Sequence, residues 1–124
     1  MRLTSDFFVS ALVRRVFGEG GFAAVSKKGA HEAGAIFILV DRLDRTFDLY
    51  GPAPQAFFDV MQQGGRQFEK ILSCSEKEAV MTRLASEDRM DPDYWLVEIE
   101  ARDGAVDLPV VTDEPKDKPA DPFL

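Results

Sequence analysis

Residues 34–54 read Gly-Ala-Ile-Phe-Ile-Leu-Val-Asp-Arg-Leu-Asp-Arg-Thr-Phe-Asp-Leu-Tyr-Gly-Pro-Ala-Pro. Ala35 to Val40 are consecutive apolar residues, rich in β-branched and aromatic types. Arg42 to Arg45 form a polar break of hairpin length, and Thr46 to Tyr50 then alternate in polarity until Gly51-Pro52. Such a pattern predicts a buried strand, a tight turn and a half-buried strand. A turn this short forces the two strands to run antiparallel. The first strand is apolar on both faces: two helices can cover one face of the sheet, and the other then needs residues 55–63, the tail or another subunit.

Working outward, Thr4 or Ser5 can cap a helix whose first turn carries Asp6. Phe8, Leu12 and Val16 share one stripe, and Val9, Val13 and Phe17 the next, so this helix is largely buried. Gly18-Glu19-Gly20-Gly21 stops it. Phe22 to Lys28 reads as a strand. Gln55 to Gln63 reads as a short helix or as a loop laid across the sheet, with Phe57, Phe58 and Met61 apolar. Gln67 to Ser73 is a strand with Phe68 and Leu72 on one side and Ile71 on the other. Ser75 followed by Glu78 has the spacing of a capping box and opens a second helix, with Val80, Met81 and Leu84 inward. Asp91-Pro92-Asp93 ends that helix. Tyr94 to Glu100 is the last strand, with Trp95, Val97 and Ile99 on one face. Asp103-Gly104 is a hairpin signal that returns Ala105 to Leu108 as a short edge strand. The expected fold is α+β: a mainly antiparallel sheet of four to six strands with two helices, in the order α-β-β-β-β-α-β.

The 124 residues are the size of one domain, placed at residues 1–108. Four of the seven prolines fall after residue 108, amid mixed charge, so residues 109–124 read as a disordered acidic, Pro-rich tail. The net charge of −7 repels a phosphate backbone and argues against a nucleic-acid partner. Residues 1–31 carry five basic and two acidic groups, which read as a solvated surface. No stretch approaches a membrane span. The opening residues place Arg14-Arg15 after the apolar stretch, the reverse of a signal peptide. A single cysteine, Cys74, allows no internal disulfide and fits a reducing compartment, so the expected location is cytoplasmic.

Few residues suggest chemistry. Gly18, Gly20 and Ala23 match part of a dinucleotide fingerprint, but the helix precedes the glycines and the strand follows them, the wrong order for a pyrophosphate site. His31 and Cys74 are the only residues of their kind, too few for a zinc site without carboxylates. Glu98 and Glu100 are two apart on one strand, so both carboxylates point to one side, and Asp41 ends another strand; the three can in principle hold a magnesium ion. Their strand order suggests restriction-type nucleases, yet those need acid-x-Lys where this chain has Asp48-Leu49-Tyr50. Solvated edge charges explain the three carboxylates better. No metal and no cofactor is expected. Trp95 or the flanking Tyr94 can be a binding platform, but core anchoring of the last strand is the simpler reading. Pro52, Pro54 and Gln55 form a stiff turn that can present a ligand contact.

Four runs carry a family resemblance: Ser5-Asp6-Phe7-Phe8-Val9 with Arg14-Arg15, Glu32 to Phe37, Leu49 to Gln55, and Asp91 to Glu100. They resemble an uncharacterised alphaproteobacterial family, domain of unknown function 1491, over residues 2–103. The resemblance implies a bacterial cytosolic protein of about one domain and brings no activity or functional residue with it. The reading therefore leans away from an enzyme and towards an interaction module that binds itself, as a homodimer, or another protein. Pro52, Pro54, Gln55, Phe57, Phe58 and Trp95 are the candidate contacts. The dimer is expected to bury apolar surface from the sheet or from residues 55–63. The alternative is a small metal-dependent, nuclease-like enzyme using Asp41, Glu98 and Glu100.

Overall fold

A computed structural model describes residues 4–54 and 66–111. The elements are α1 (Ser5–Gly18), β1 (Phe22–Lys27), β2 (Ala35–Asp41), β3 (Phe47–Pro52), β4 (Phe68–Ser75), α2 (Lys77–Met90) and β5 (Tyr94–Glu100). They form one five-stranded sheet in the order β1-β5-β2-β3-β4. The predicted hairpin is present: β2 and β3 pair antiparallel, with Ile38 opposite Tyr50 and Val40 opposite Asp48. β5 inserts between β1 and β2, parallel to β2 and antiparallel to β1. The sheet is thus mainly antiparallel with one parallel pair.

The two helices do not share one face, as expected from the sequence; they lie on opposite faces, so each face of the sheet has its own helix. Val9 and Leu12 of α1 pack on Ile36, Ile38, Val40, Trp95, Val97 and Ile99. Val80 of α2 packs with Phe37, Leu39, Leu49, Tyr94 and Leu96. Strand β2 is buried on both faces because it lies at the centre of the sheet with a helix above and below.

The start of α1 is tightly fixed. Thr4 Oγ1 accepts from the Phe7 N–H at 3.1 Å. The free N–H groups of Ser5 and Asp6 donate to the carbonyls of Glu32 and His31. The buried Ser5 hydroxyl donates to the Gly34 carbonyl at 2.6 Å. At the other end Gly20 N–H bonds to Phe17 O and Gly21 N–H to Val16 O, the paired closure of a Schellman motif.

Four local expectations are corrected. Ile71 and Leu72 both pack on the α2 side. The register steps from Leu49 opposite Leu72 to Tyr50 opposite Lys70, so β4 holds one extra residue there and two neighbours point the same way. Ser75 does not cap α2: it pairs with Phe47 as the last residue of β4, and Glu76 takes the cap position without a side-chain hydrogen bond. Met81 is 58% exposed, so Val80 and Leu84 alone form the inner face. Ala105 to Leu108 add no strand to β5, since both of its edges are occupied by β1 and β2. Val106 and Leu108 instead pack against the α1-side core. The chain then reaches β4, where Phe68 N–H donates to Pro109 O and Val111 N–H to Phe68 O. The expectations for residues 55–63 and for the tail at 112–124 lie outside the described residues.

Candidate binding groove

The last residues of β3, the start of β2 and β5, and the inner turns of α2 enclose a groove of about 220 Å³. Its floor is apolar: Phe37, Ile71 and Tyr94. The rings of Phe37 and Tyr94 meet edge-on, with centroids 5.3 Å apart. Gly51 lets this floor close up. A Cβ there would lie 2.6 Å from Ile71 Cδ1 and 2.9 Å from Phe37 Cε2.

The rim is charged and unequal. Glu69, Glu87, Asp91 and Asp93 line it against one cation, Arg83. Arg83 Nε is already committed to Glu87 Oε2, one helical turn on, at 3.0 Å. Two of the carboxylates are set by the turn that ends α2. Asp91 Oδ1 accepts from the Asp93 N–H at 3.0 Å, and Asp93 Oδ1 accepts from the Ala30 N–H at 2.7 Å. Pro92, which cannot continue the helix, fixes this corner. The Tyr94 hydroxyl is pushed above its ordinary pKa, first by burial and then by Asp88 and Glu87. Lys27 Nζ lies over the Tyr94 ring, 4.2 Å from its centroid. It also donates to the carbonyl of Pro92. The groove therefore offers aromatic surface under an excess of negative charge, which suits a cationic group with an apolar stem.

The candidate contacts fare differently. Pro52 is exposed and lines the groove, while Pro54 is exposed outside its lining. Gln55, Phe57 and Phe58 lie outside the described residues. Trp95 sits in the α1-side core, its Nε1–H donating to the Ala30 carbonyl at 2.8 Å. It anchors β5. Sequence reasoning missed Glu69, Arg83, Glu87, Asp91 and Asp93 as a group, because each reads singly as a solvated charge.

The other clusters are accounted for locally. Asp41 and Glu100 are register neighbours. Asp41 Oδ1 accepts from the Leu43 N–H, and Glu98 Oε2 from the Ser26 hydroxyl at 2.6 Å. Among the described residues no group of three His, Cys, Asp or Glu is placed to hold a metal ion. His31 faces Asp6 in the loop before β2, whereas Cys74 is exposed near the end of β4, its N–H bonded to Asp48. They make no pair. No helix of the described residues is long and apolar enough to cross a membrane.

A family model described as "Protein of unknown function (DUF1491)" matches residues 3–108. The solution structure of a protein from A. tumefaciens is 49% identical, covering 91% of this chain and 98% of that one, with a TM-score of 0.78. The crystal structure of a DUF1491 family protein from Caulobacter crescentus CB15 is 33% identical over 90% of this chain and all of that one, with a TM-score of 0.70. An NMR structure of a DUF1491 family protein from the same organism is 34% identical over 90% and 99%, at 0.71. No curated protein matches. With most of its length matched, and with sources that are alphaproteobacteria, the chain belongs to the DUF1491 family, whose function is unknown.

Proposed function

We propose that this domain is a non-enzymatic interaction module of the bacterial cytoplasm, and that its groove receives a basic segment of a partner protein. The observation that carries the reading is the rim: Glu69, Glu87, Asp91 and Asp93 over a Phe37–Tyr94 floor, with Arg83 held by Glu87. A cytoplasmic setting is supported by the one exposed, unpaired cysteine, Cys74. A protein partner is favoured over a nucleic acid by the net charge of −7.

Magnitudes set the kind of ligand. A cation over an aromatic ring contributes about 0.5–2 kcal/mol, and each exposed ion pair about 0–1 kcal/mol. One basic side chain therefore binds no better than roughly millimolar, since that affinity is worth about 4 kcal/mol. Useful affinity needs an extended segment that lays a second residue along Pro52 and Glu69.

The test is titration of isotope-labelled protein with a short Arg-Gly-Arg peptide and with its Gln-Gly-Gln counterpart. The basic peptide is expected to shift resonances of Phe37, Tyr94 and Glu87, the neutral one to shift none, and Glu87→Gln with Asp91→Asn to abolish the effect. Equal response to both peptides, or shifts spread over the whole acidic surface, would overturn the reading.

A further inference from the structure

Strand β1 closes one side of the sheet, and no described strand pairs with its outer edge. The opposite edge, β4, is partly covered by Val110 beside Phe68. Among the described residues the β1 edge is uncovered, and it is apolar. Phe17 is 51%, Phe22 47% and Val25 39% exposed. The rings of Phe17 and Phe22 stack edge-on at 5.7 Å. An edge of this kind usually carries charges that deter pairing. Here they stand only at its two ends: Glu19 just before the strand, Lys27 and Lys28 at its close. Between them Phe22-Ala23-Ala24-Val25 has none. The bulge at Ser26 ends the regular ladder, so this short stretch is what a second strand would meet.

We propose that the occupant of this edge is β1 of a second copy of the chain, running antiparallel about a two-fold axis and joining two sheets into one. The end charges select a copy over an unrelated strand. Directly opposed residues in an antiparallel pair point to the same face, so the axis passes midway between the two copies of one residue, Ala23 or Ala24. In either register the end of one strand lies by the start of the other, so Lys27 and Lys28 of one copy approach Glu19 in the turn before the other copy's β1, and the same contact forms twice. The alanines at the centre and Gly20-Gly21 at the end leave room for close approach. Phe22 and Val25 are then covered by the partner. Lys28 is the better test, because Lys27 is tied to the Pro92 carbonyl. This surface is separate from the groove and does not depend on its ligand.

Sedimentation of the full chain from micromolar to sub-millimolar concentration is expected to show a monomer–dimer equilibrium that weakens with salt. Lys28→Glu and Glu19→Lys are each expected to weaken the dimer about tenfold. The two together restore it, because the swapped charges again face each other. Val25→Lys is expected to give a folded monomer, since Val25 is exposed and leaves no cavity. Glu87→Gln in the groove is expected to leave the equilibrium unchanged. A monomer at every concentration overturns the proposal. So does a dimer that Val25→Lys leaves intact, or one that the charge swap fails to restore.

Discussion

The carboxylate of Asp48 accepts from Arg42 Nη1 at 3.0 Å and is completely buried. Its other oxygen accepts from the Cys74 N–H at 2.8 Å. Lys70 Nζ stands 3.8 Å from Oδ2. Gly104, at φ +76°, lies over the pair, and a Cβ there would fall on Arg42 Nη1. One side chain thus ties the start of β3 to the hairpin turn and to the end of β4, beneath the turn after β5. A buried carboxylate is tolerable only with such partners. Asp48→Ala removes two accepted hydrogen bonds and leaves Arg42 facing an empty site, so a loss of about 2–4 kcal/mol in urea unfolding is expected. Asp48→Asn keeps an acceptor for the Cys74 N–H and is expected to lose less. A loss near that of an ordinary surface substitution, within about 0.5 kcal/mol, would contradict the role given to Asp48.

The β2–β3 turn carries its own pH signature. Asp44 Oδ1 accepts from both the N–H and the hydroxyl of Thr46. These bonds hold its pKa below the ordinary 3.8, the side-chain bond contributing most. A depressed carboxylate pKa stabilises the fold above the unfolded value and loses that contribution as pH falls through the folded value. Asp44 is therefore expected to titrate below pH 3.8 in an NMR pH series. Thr46→Val is expected to move it part of the way back up, because the backbone donor remains. No movement would mean that the hydroxyl bond is not made in solution.

The sequence displayed this hairpin because its information is local: an apolar run, a turn and an alternating run. The place of β5 was not local. Ala35 and Tyr94 are parallel neighbours although far apart in the chain, and the hydrophobic pattern of either strand is satisfied by many partners. What the sequence did carry was the two-faced burial of Ala35 to Val40, which requires a central strand. Alternation set Asp48 on the face opposite Phe47 and Leu49 but did not show it buried, since period-two patterning marks a face and not whether that face is covered. The same limit applies to Ile71 and Leu72, where a bulge resets the alternation. Of the groove, only Pro52 and Tyr94 stood out, because the charged rim residues come from β4, α2 and the α2–β5 corner and share no spacing.

Gly51 is expected to be intolerant of alanine for a reason specific to the groove. Its added methyl meets Ile71 Cδ1 at 2.6 Å and the Phe37 ring at 2.9 Å. Ile71 can swing aside, but the Phe37 ring is held between β2 and Tyr94. Overpacking of this kind costs about 1–3 kcal/mol. The denaturation midpoint of Gly51→Ala is therefore expected to fall, with shifted ring resonances of Phe37 and Tyr94. An unchanged midpoint would show that the floor is looser than its contacts indicate.

Tyr94 can report whether the groove is filled. Its hydroxyl pKa lies above 10.0, from burial first and then from Asp88 and Glu87. A group whose folded pKa is raised contributes no penalty below pH 10 and destabilises the fold as pH climbs through the folded value, because the unfolded chain then releases the proton more readily. Glu87→Gln removes one of the two negative neighbours, so the ultraviolet titration of Tyr94 is expected to move down towards the ordinary phenol. A bound guanidinium acts in the same direction by offsetting the same carboxylates. Protein saturated with the Arg-Gly-Arg peptide is therefore expected to ionise Tyr94 at lower pH than free protein, and Glu87→Gln to blunt the difference. If Glu87→Gln leaves the peptide-induced difference intact, the peptide acts through the general field of an acidic protein and not through the groove.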